Sequence, residues 1–345
     1  MSRKALFIAA LVGCCPVVPT RAQEASSDRA RHAIVAANGR ALQGDLPSAL
    51  RLLRALPPSG LAGGDAAYRA CMIKRFSEEA DGSLPTDLPP IVARALGIYR
   101  AYWRAGFLHP AERETEAERL RRNLARLLGF PATEEMGTLE AALALRLTDA
   151  GFHSLMGRTP PFRELMLWKE QRRELKVIPL PEAAHEVPVV FLDEFVSLGW
   201  SNYATCGRSS TGGWVRPDGI YAVVPGWPDL QGERFQVSFL GHEAQHFADR
   251  AKFPGIGDWE LEYRAKFTEL ALARDSLGRL LGAFGANQAD DPALPHPYAN
   301  RLVLGALRAR LGRGPSDPLT QVPVPLLNRA AELELRADTK RRVRR

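Results

Sequence analysis

The chain has 345 residues, 46 % of them apolar and 25 % charged, so it can bury a sizeable core and is long enough for two domains. Its net charge of +7 is carried by arginine, with lysine supplying only 7 of 46 basic residues. The cations are scattered among acidic residues, with no basic face and no recognisable module, which excludes a nucleic-acid-binding protein.

The chain opens with Arg3 and Lys4, followed by a short apolar run from Ala5 to Val12. That run is too short to cross a bilayer permanently, and no later stretch approaches the needed length. We expect residues 1–22 to be an export signal. Two endings compete. Thr20-Arg21-Ala22 fits a signal-peptidase site, and Leu11-Val12-Gly13-Cys14 resembles a bacterial lipobox in which Cys14 would be acylated. The expectation is a periplasmic protein, attached to the outer membrane if Cys14 carries lipid. In that oxidising setting Cys71 and Cys206 can either pair, linking the N-terminal part to the later domain, or stay as two separate buried thiols.

An α-helical domain is expected over residues 28–158. His32 to Leu56 reads as a helix pair around Gly44-Asp45. It resembles one tetratricopeptide-type hairpin, but a repeat stack needs several units. Ala66–Glu79, Ile91–Ala105, Ala111–Leu128 and Leu139–Thr148 follow as helices. Tyr99, Tyr102 and Trp103 sit at helical spacing, as core packing requires. The helical region carries no obvious chemistry, and it offers a docking surface for a protein partner.

The texture changes after Pro160-Pro161. Phe162 to Leu175 still reads as helix, with Trp168 on its apolar face. Lys176–Leu180 and Val187–Leu192 are β-rich runs bounded by proline. Gly212–Val215 and Gly219–Val224 flank Arg216-Pro217-Asp218, a hairpin signal ending in Asp-Gly. His185 lies in a polar loop and is expected at the surface.

The chemistry concentrates next, in His242-Glu243-Ala244-Gln245-His246. On a helix over Gly232–Arg250 the two histidines, four residues apart, face one spot. Two imidazoles there can hold one metal ion, with Glu243 beside them to move the proton of a nearby water. Phe239, Leu240, Ala244, Phe247 and Ala248 supply the apolar surroundings of a buried helix. Asp258 is the expected cap of a long helix from Trp259 to Phe284. It carries three candidate third ligands, Glu260, Glu262 and Glu269, since the next histidine is His296. The basic run Lys340–Arg345 reads as a solvated end suited to anionic lipid or envelope polymers.

Residues 200 to 270 resemble the HExxH zinc metallopeptidases. The metzincin continuation is absent after His246, and Glu262-Tyr263-Arg264-Ala265 is similar to the Glu-x-x-Ala pattern of the gluzincin group. The resemblance implies an α+β chain whose residues 160–345 form a zincin-like metal domain with a small antiparallel sheet. It implies one zinc ion per chain on His242, His246 and Glu262, with Glu243 as general base and then acid in peptide-bond hydrolysis. Glu269 is the alternative ligand. The hairpin before the metal helix would offer an edge strand to an extended peptide substrate. Several gluzincin families place an aspartate after the alanine to orient a ligand histidine. Lys266 stands there instead, which leaves Asp249 to do it. His296 and Tyr298 are the candidate oxyanion donors. Arg264 is expected in an ion pair. The competing class is a zinc-binding, non-catalytic envelope lipoprotein that binds a partner.

Overall fold

The computed structural model describes residues 26–77 and 84–344, so the expected signal segment and Cys14 lie outside the described residues. The chain divides into two compact units, residues 1–80 and 81–345. The first unit contains α1 (Asp28–Leu42), α2 (Leu46–Arg54) and α3 (Gly63–Arg75). Ser27 caps α1 by accepting from the Ala30 N–H, and Asp45 caps α2 by accepting from the Ser48 N–H. These caps satisfy donors that the first turn leaves free. Ile34, Ala37, Leu46 and Leu53 bury the faces that the two helices share.

The second unit starts with three helices, α4 (Pro90–Leu108), α5 (Arg113–Leu128) and α6 (Met136–Asp149), and continues into a sheet. The helices from 90 to 149 therefore belong with the sheet, whereas the change of texture in the sequence puts a boundary near residues 158–160. The reason is packing. The Trp103 indole donates to Arg163 O at 2.8 Å, and the Tyr102 hydroxyl accepts from Arg163 N at 3.2 Å. Tyr99, Tyr102 and Trp103 are all buried, as expected.

The sheet has five strands in the order β1-β2-β3-β5-β4. They are β1 (His153–Thr159), β2 (Phe162–Ile178), β3 (His185–Leu198), β4 (Gly213–Arg216) and β5 (Gly219–Val223). Two expectations fail here. Phe162–Leu175 is strand, not helix: its Glu, Leu, Met and Arg content favours a helix in isolation. Pairing with β1 on one side and β3 on the other overrides that preference. The sheet is also mixed rather than antiparallel, because β3 and β5 run parallel. A short helix, α7 (Gly199–Ala204), separates β3 from β4.

The helix that carries His242 and His246 is continuous from α8 (Glu233–Phe235) through a π-helical segment (Gln236–Gly241) into α9 (His242–Lys252). π-Segments inside helices recur at functional sites, because the extra residue re-aims the side chains that follow. Val187, Val189 and Phe191 of β3, with Ile220 and Ala222 of β5, bury one sheet face against Phe235, Phe239 and Leu240. Each buried phenylalanine contributes roughly 1.5–3 kcal/mol. Val190 and Leu192 alternate to the opposite face with Met166 and Trp168.

Close approach of the edge strand β4 to the π-helical segment needs Gly213. A Cβ there would fall 2.2 Å from Tyr221 O and 2.4 Å from Phe239, at a φ of +154°.

The next helix is shorter than expected. α10 (Asp258–Leu272) ends at Ala273, and α11 (Leu277–Ala286) is separate. The break is stabilised by Glu233, which accepts from the backbone N–H groups of Arg274, Asp275 and Ser276 at 2.8–3.1 Å. Gly257, not Asp258, is the cap of α10. α12 (Pro295–Arg310) and α13 (Val324–Val343) complete an apolar cluster with α10 and α11.

The basic tail is mostly exposed, as expected, but it is anchored at one residue. Within α13, Arg342 donates to Asp338 at 2.6 Å and to Glu260 at 2.8 Å. Cys71 and Cys206 are each half-buried and each in a disulfide, so of the two alternatives the pair of buried free thiols does not hold. His185 opens β3, half-buried, with its ring 6.0 Å from Phe247, rather than lying in a surface loop.

Candidate metal centre

His242 and His246 occupy the first and second turns of α9, and their rings lie 4.6 Å apart at nearly a right angle. Glu262 on α10 faces both. Its Oε1 is 3.2 Å from His246 Nε2, and its Oε2 is 3.6 Å from His242 Nε2. One ligand atom from each of the three residues falls within 4.8 Å of the others, and all three residues are buried. Such a group of two imidazoles and one carboxylate can hold a metal ion.

Local chemistry explains how the two helices come together there. Ala265, one turn beyond Glu262, is fully buried and lets the helices approach. Gln245 Oε1 accepts from Thr268 Oγ1 at 2.8 Å, a buried link from α9 to α10. The centre also leaves a polar atom unanswered. Among the described residues, the buried His246 Nδ1 lacks a hydrogen-bond partner. A buried polar atom without such a partner is costly.

The surroundings assign the remaining candidates. Glu269 stands outside this group of three: its Oε1 accepts from His242 Nδ1 at 2.7 Å. That contact turns the other ring nitrogen, Nε2, toward Glu262, the arrangement that fixes a ligand histidine. The role expected for Asp249 therefore falls to Glu269. Asp249 instead accepts from Arg264 Nε at 2.9 Å. Arg264 is completely buried and also ion-pairs with Asp338 at 2.9 Å and Glu182 at 3.2 Å. It ties α9, α10, α13 and the loop after β2 into one charge network, so the expected ion pair is a triple one.

Lys266 is buried, with its ammonium 3.4 Å from Glu262 Oε2 and 4.8 Å from the centre of the Phe284 ring. His296, at the start of α12, places Nδ1 2.7 Å from the same oxygen, and its side chain is 63 % exposed. Tyr298 packs edge-on against Trp259 at 5.3 Å, with Arg301 over its ring at 5.2 Å. Of the two candidate oxyanion donors, the structure brings His296 to the triad and leaves Tyr298 against Trp259. Glu243 is half-buried and, among the described residues, makes no hydrogen bond or ion pair. Beside the triad lies a cavity of about 220 Å³, bordered by His246, Glu262, Arg250, Asp258, Pro295 and His296.

The acid–base balance of the centre follows from these contacts. Burial works against protonation of His242, but hydrogen bonds to Glu262 and Glu269 outweigh it and lift the ring to about 10. Burial dominates at His246 and pushes its pKa down. Burial would raise Glu262, yet its contacts with His242, His246 and His296 hold it far below the usual carboxylate range. In this arrangement His242 keeps a proton that metal binding would have to release.

The sequence placed Glu269 near the centre as an alternative ligand, but its contact with His242 and the approach of Lys266 to Glu262 were not assigned. Their only signal was spacing: Glu269 and Lys266 lie seven and four residues after Glu262, on the same helical face. No protein-family model, curated protein or solved structure matches this chain. The centre is therefore read from its own geometry.

Proposed function

We propose that this chain is a zinc-dependent hydrolase of the gluzincin-like peptidase type, with residues 160–345 as its zincin-like part, working as an exported protein. The observation that carries the reading is the buried group of His242, His246 and Glu262, with Glu243 next to the first ligand and Glu269 orienting it.

The donor set fits zinc: two neutral imidazoles and one carboxylate leave a fourth position open. When bound, zinc would supply Lewis acidity to a water molecule and to the substrate carbonyl. Glu243 would take the proton from that water and return it to the leaving amine. Glu269 would hold His242 in the right tautomer through the proton on Nδ1. His296, exposed at the cavity, would donate to the oxygen on which negative charge develops. The buried Lys266 would hold the outer oxygen of Glu262. β4, an edge strand of the sheet, has a side unpaired among the described residues that would offer main-chain hydrogen bonds to an extended peptide.

The test is metal content of the purified protein by elemental mass spectrometry, followed by a screen on quenched fluorescent peptides. The expected result is about one zinc per chain, lost in His246→Ala and kept in Glu243→Gln, with turnover only in the wild type. Zinc bound without turnover of any peptide would favour a partner-binding role. No metal after reconstitution would make the histidines structural.

A further inference from the structure

β2 is longer than the strand that covers it. β1 pairs with β2 only from Phe162 to Trp168, whereas β3 follows β2 as far as Ile178. From Lys169 to Val177 one edge of β2 therefore has no partner strand among the described residues. Nearly all of these residues are exposed, including Leu175 at 62 % and Val177 at 67 %. A long open edge with unpaired backbone groups is a template for another strand.

The side chains along this edge are ordered. Successive residues of a strand point to opposite faces, so Glu170, Arg172, Glu174 and Lys176 form one row, with signs that alternate minus, plus, minus, plus. An even alternating row is complementary to itself when a second copy runs antiparallel. With Arg173 on the two-fold axis, Glu170 meets Lys176 and Arg172 meets Glu174, each twice by symmetry. Sliding the register by one pair of residues sets like charges opposite each other, so the charges select one register.

On the other face, Gln171 meets Leu175 and Lys169 meets Val177, and the aliphatic stem of the lysine can cover the exposed apolar residue. The one like-charge meeting, Arg173 with its copy, is softened. Each Arg173 donates to Asp218 O at 2.7 Å and lies 3.6 Å from the Asp218 carboxylate. An edge that repels partners would carry charges of one sign. This edge carries matched ones.

We propose that residues 169–177 are a self-association edge, through which two copies of the chain join their sheets antiparallel about Arg173. Arg172 and Lys176 already ion-pair with Glu174 within the strand, so the row is held in place before a partner arrives. The contact is rich in charge and weakens as salt rises. It does not depend on the metal centre.

The test is sedimentation equilibrium of the full chain and two double variants. Arg172→Glu with Lys176→Glu makes the row all acidic; Glu170→Lys with Glu174→Lys makes it all basic. The wild type is expected to dimerise. Each variant alone should weaken the dimer on the order of 50-fold, and an equal mixture of the two should restore it. Circular dichroism checks that both variants fold. A wild type that stays monomeric up to its solubility limit overturns the proposal. So do variants that dimerise as well as the wild type, or a mixture that stays monomeric.

Discussion

Glu164 makes the stability of the second unit depend on pH in a window that can be worked out. It lies on β2, buried, with Oε1 accepting from Leu165 N at 3.1 Å and Trp200 N at 2.9 Å. Gly199 closes over it; a Cβ there would sit 2.1 Å from the same oxygen. No cation pairs with the carboxylate among the described residues. Burial therefore dominates the two N–H donors and lifts the group from 4.5 to about 7. The folded chain holds this proton at pH values where the unfolded chain has lost it. Stability from this group is fully present below about pH 4.5, falls as pH rises through the window, and is lost above about pH 7. The rise corresponds to about 3 kcal/mol. Glu164→Gln keeps the accepting oxygen and removes the titration. The assay is urea unfolding of both proteins between pH 4.5 and 8. Other titrating groups cancel in the difference between the two. That difference should move by about 3 kcal/mol in favour of the glutamine protein as pH rises. A difference that stays flat across the window would refute the reasoning.

Three further outcomes are expected. Arg264→Met strands the buried Asp249 without its cation, leaves Asp338 with Arg342 alone on that oxygen, and should cost about 3–5 kcal/mol in urea unfolding. Glu269→Gln should keep the fold but weaken metal binding by about 10–100-fold in a chelator competition, because His242 loses the carboxylate that orients it. Gly213→Ala drives a Cβ into a backbone oxygen that cannot move aside. It should lower stability by roughly 1–3 kcal/mol, seen as a drop in thermal midpoint.

Much of the helical framework was legible before folding. The pair broken at Gly44-Asp45, the aromatic cluster on α4, and the hairpin ending at Asp218-Gly219 all carry local signals: caps, apolar periodicity and turn residues. Those signals depend on the nearest few residues, so they survive without tertiary context. β2 could not be read in this way. Phe162–Leu175 has a helix former's composition, and only two flanking strands make it extended. The break after Leu272 was hidden for a similar reason. Glu233, some forty residues upstream, supplies the acceptor for the freed N–H groups.

At the centre itself, the sequence by itself determined that His242 and His246 share a helical face beside Glu243, since four-residue spacing dictates it. Which distant carboxylate would meet them depended on how α10 packs on α9. Only the tertiary structure decided that Glu262 completes the group while Glu269 orients His242 and Asp249 turns to Arg264. The physical reason is that spacing along one helix sets which residues share a face. Which face meets another helix is set by the burial of Ala265, the Gln245–Thr268 hydrogen bond and the Arg264 network.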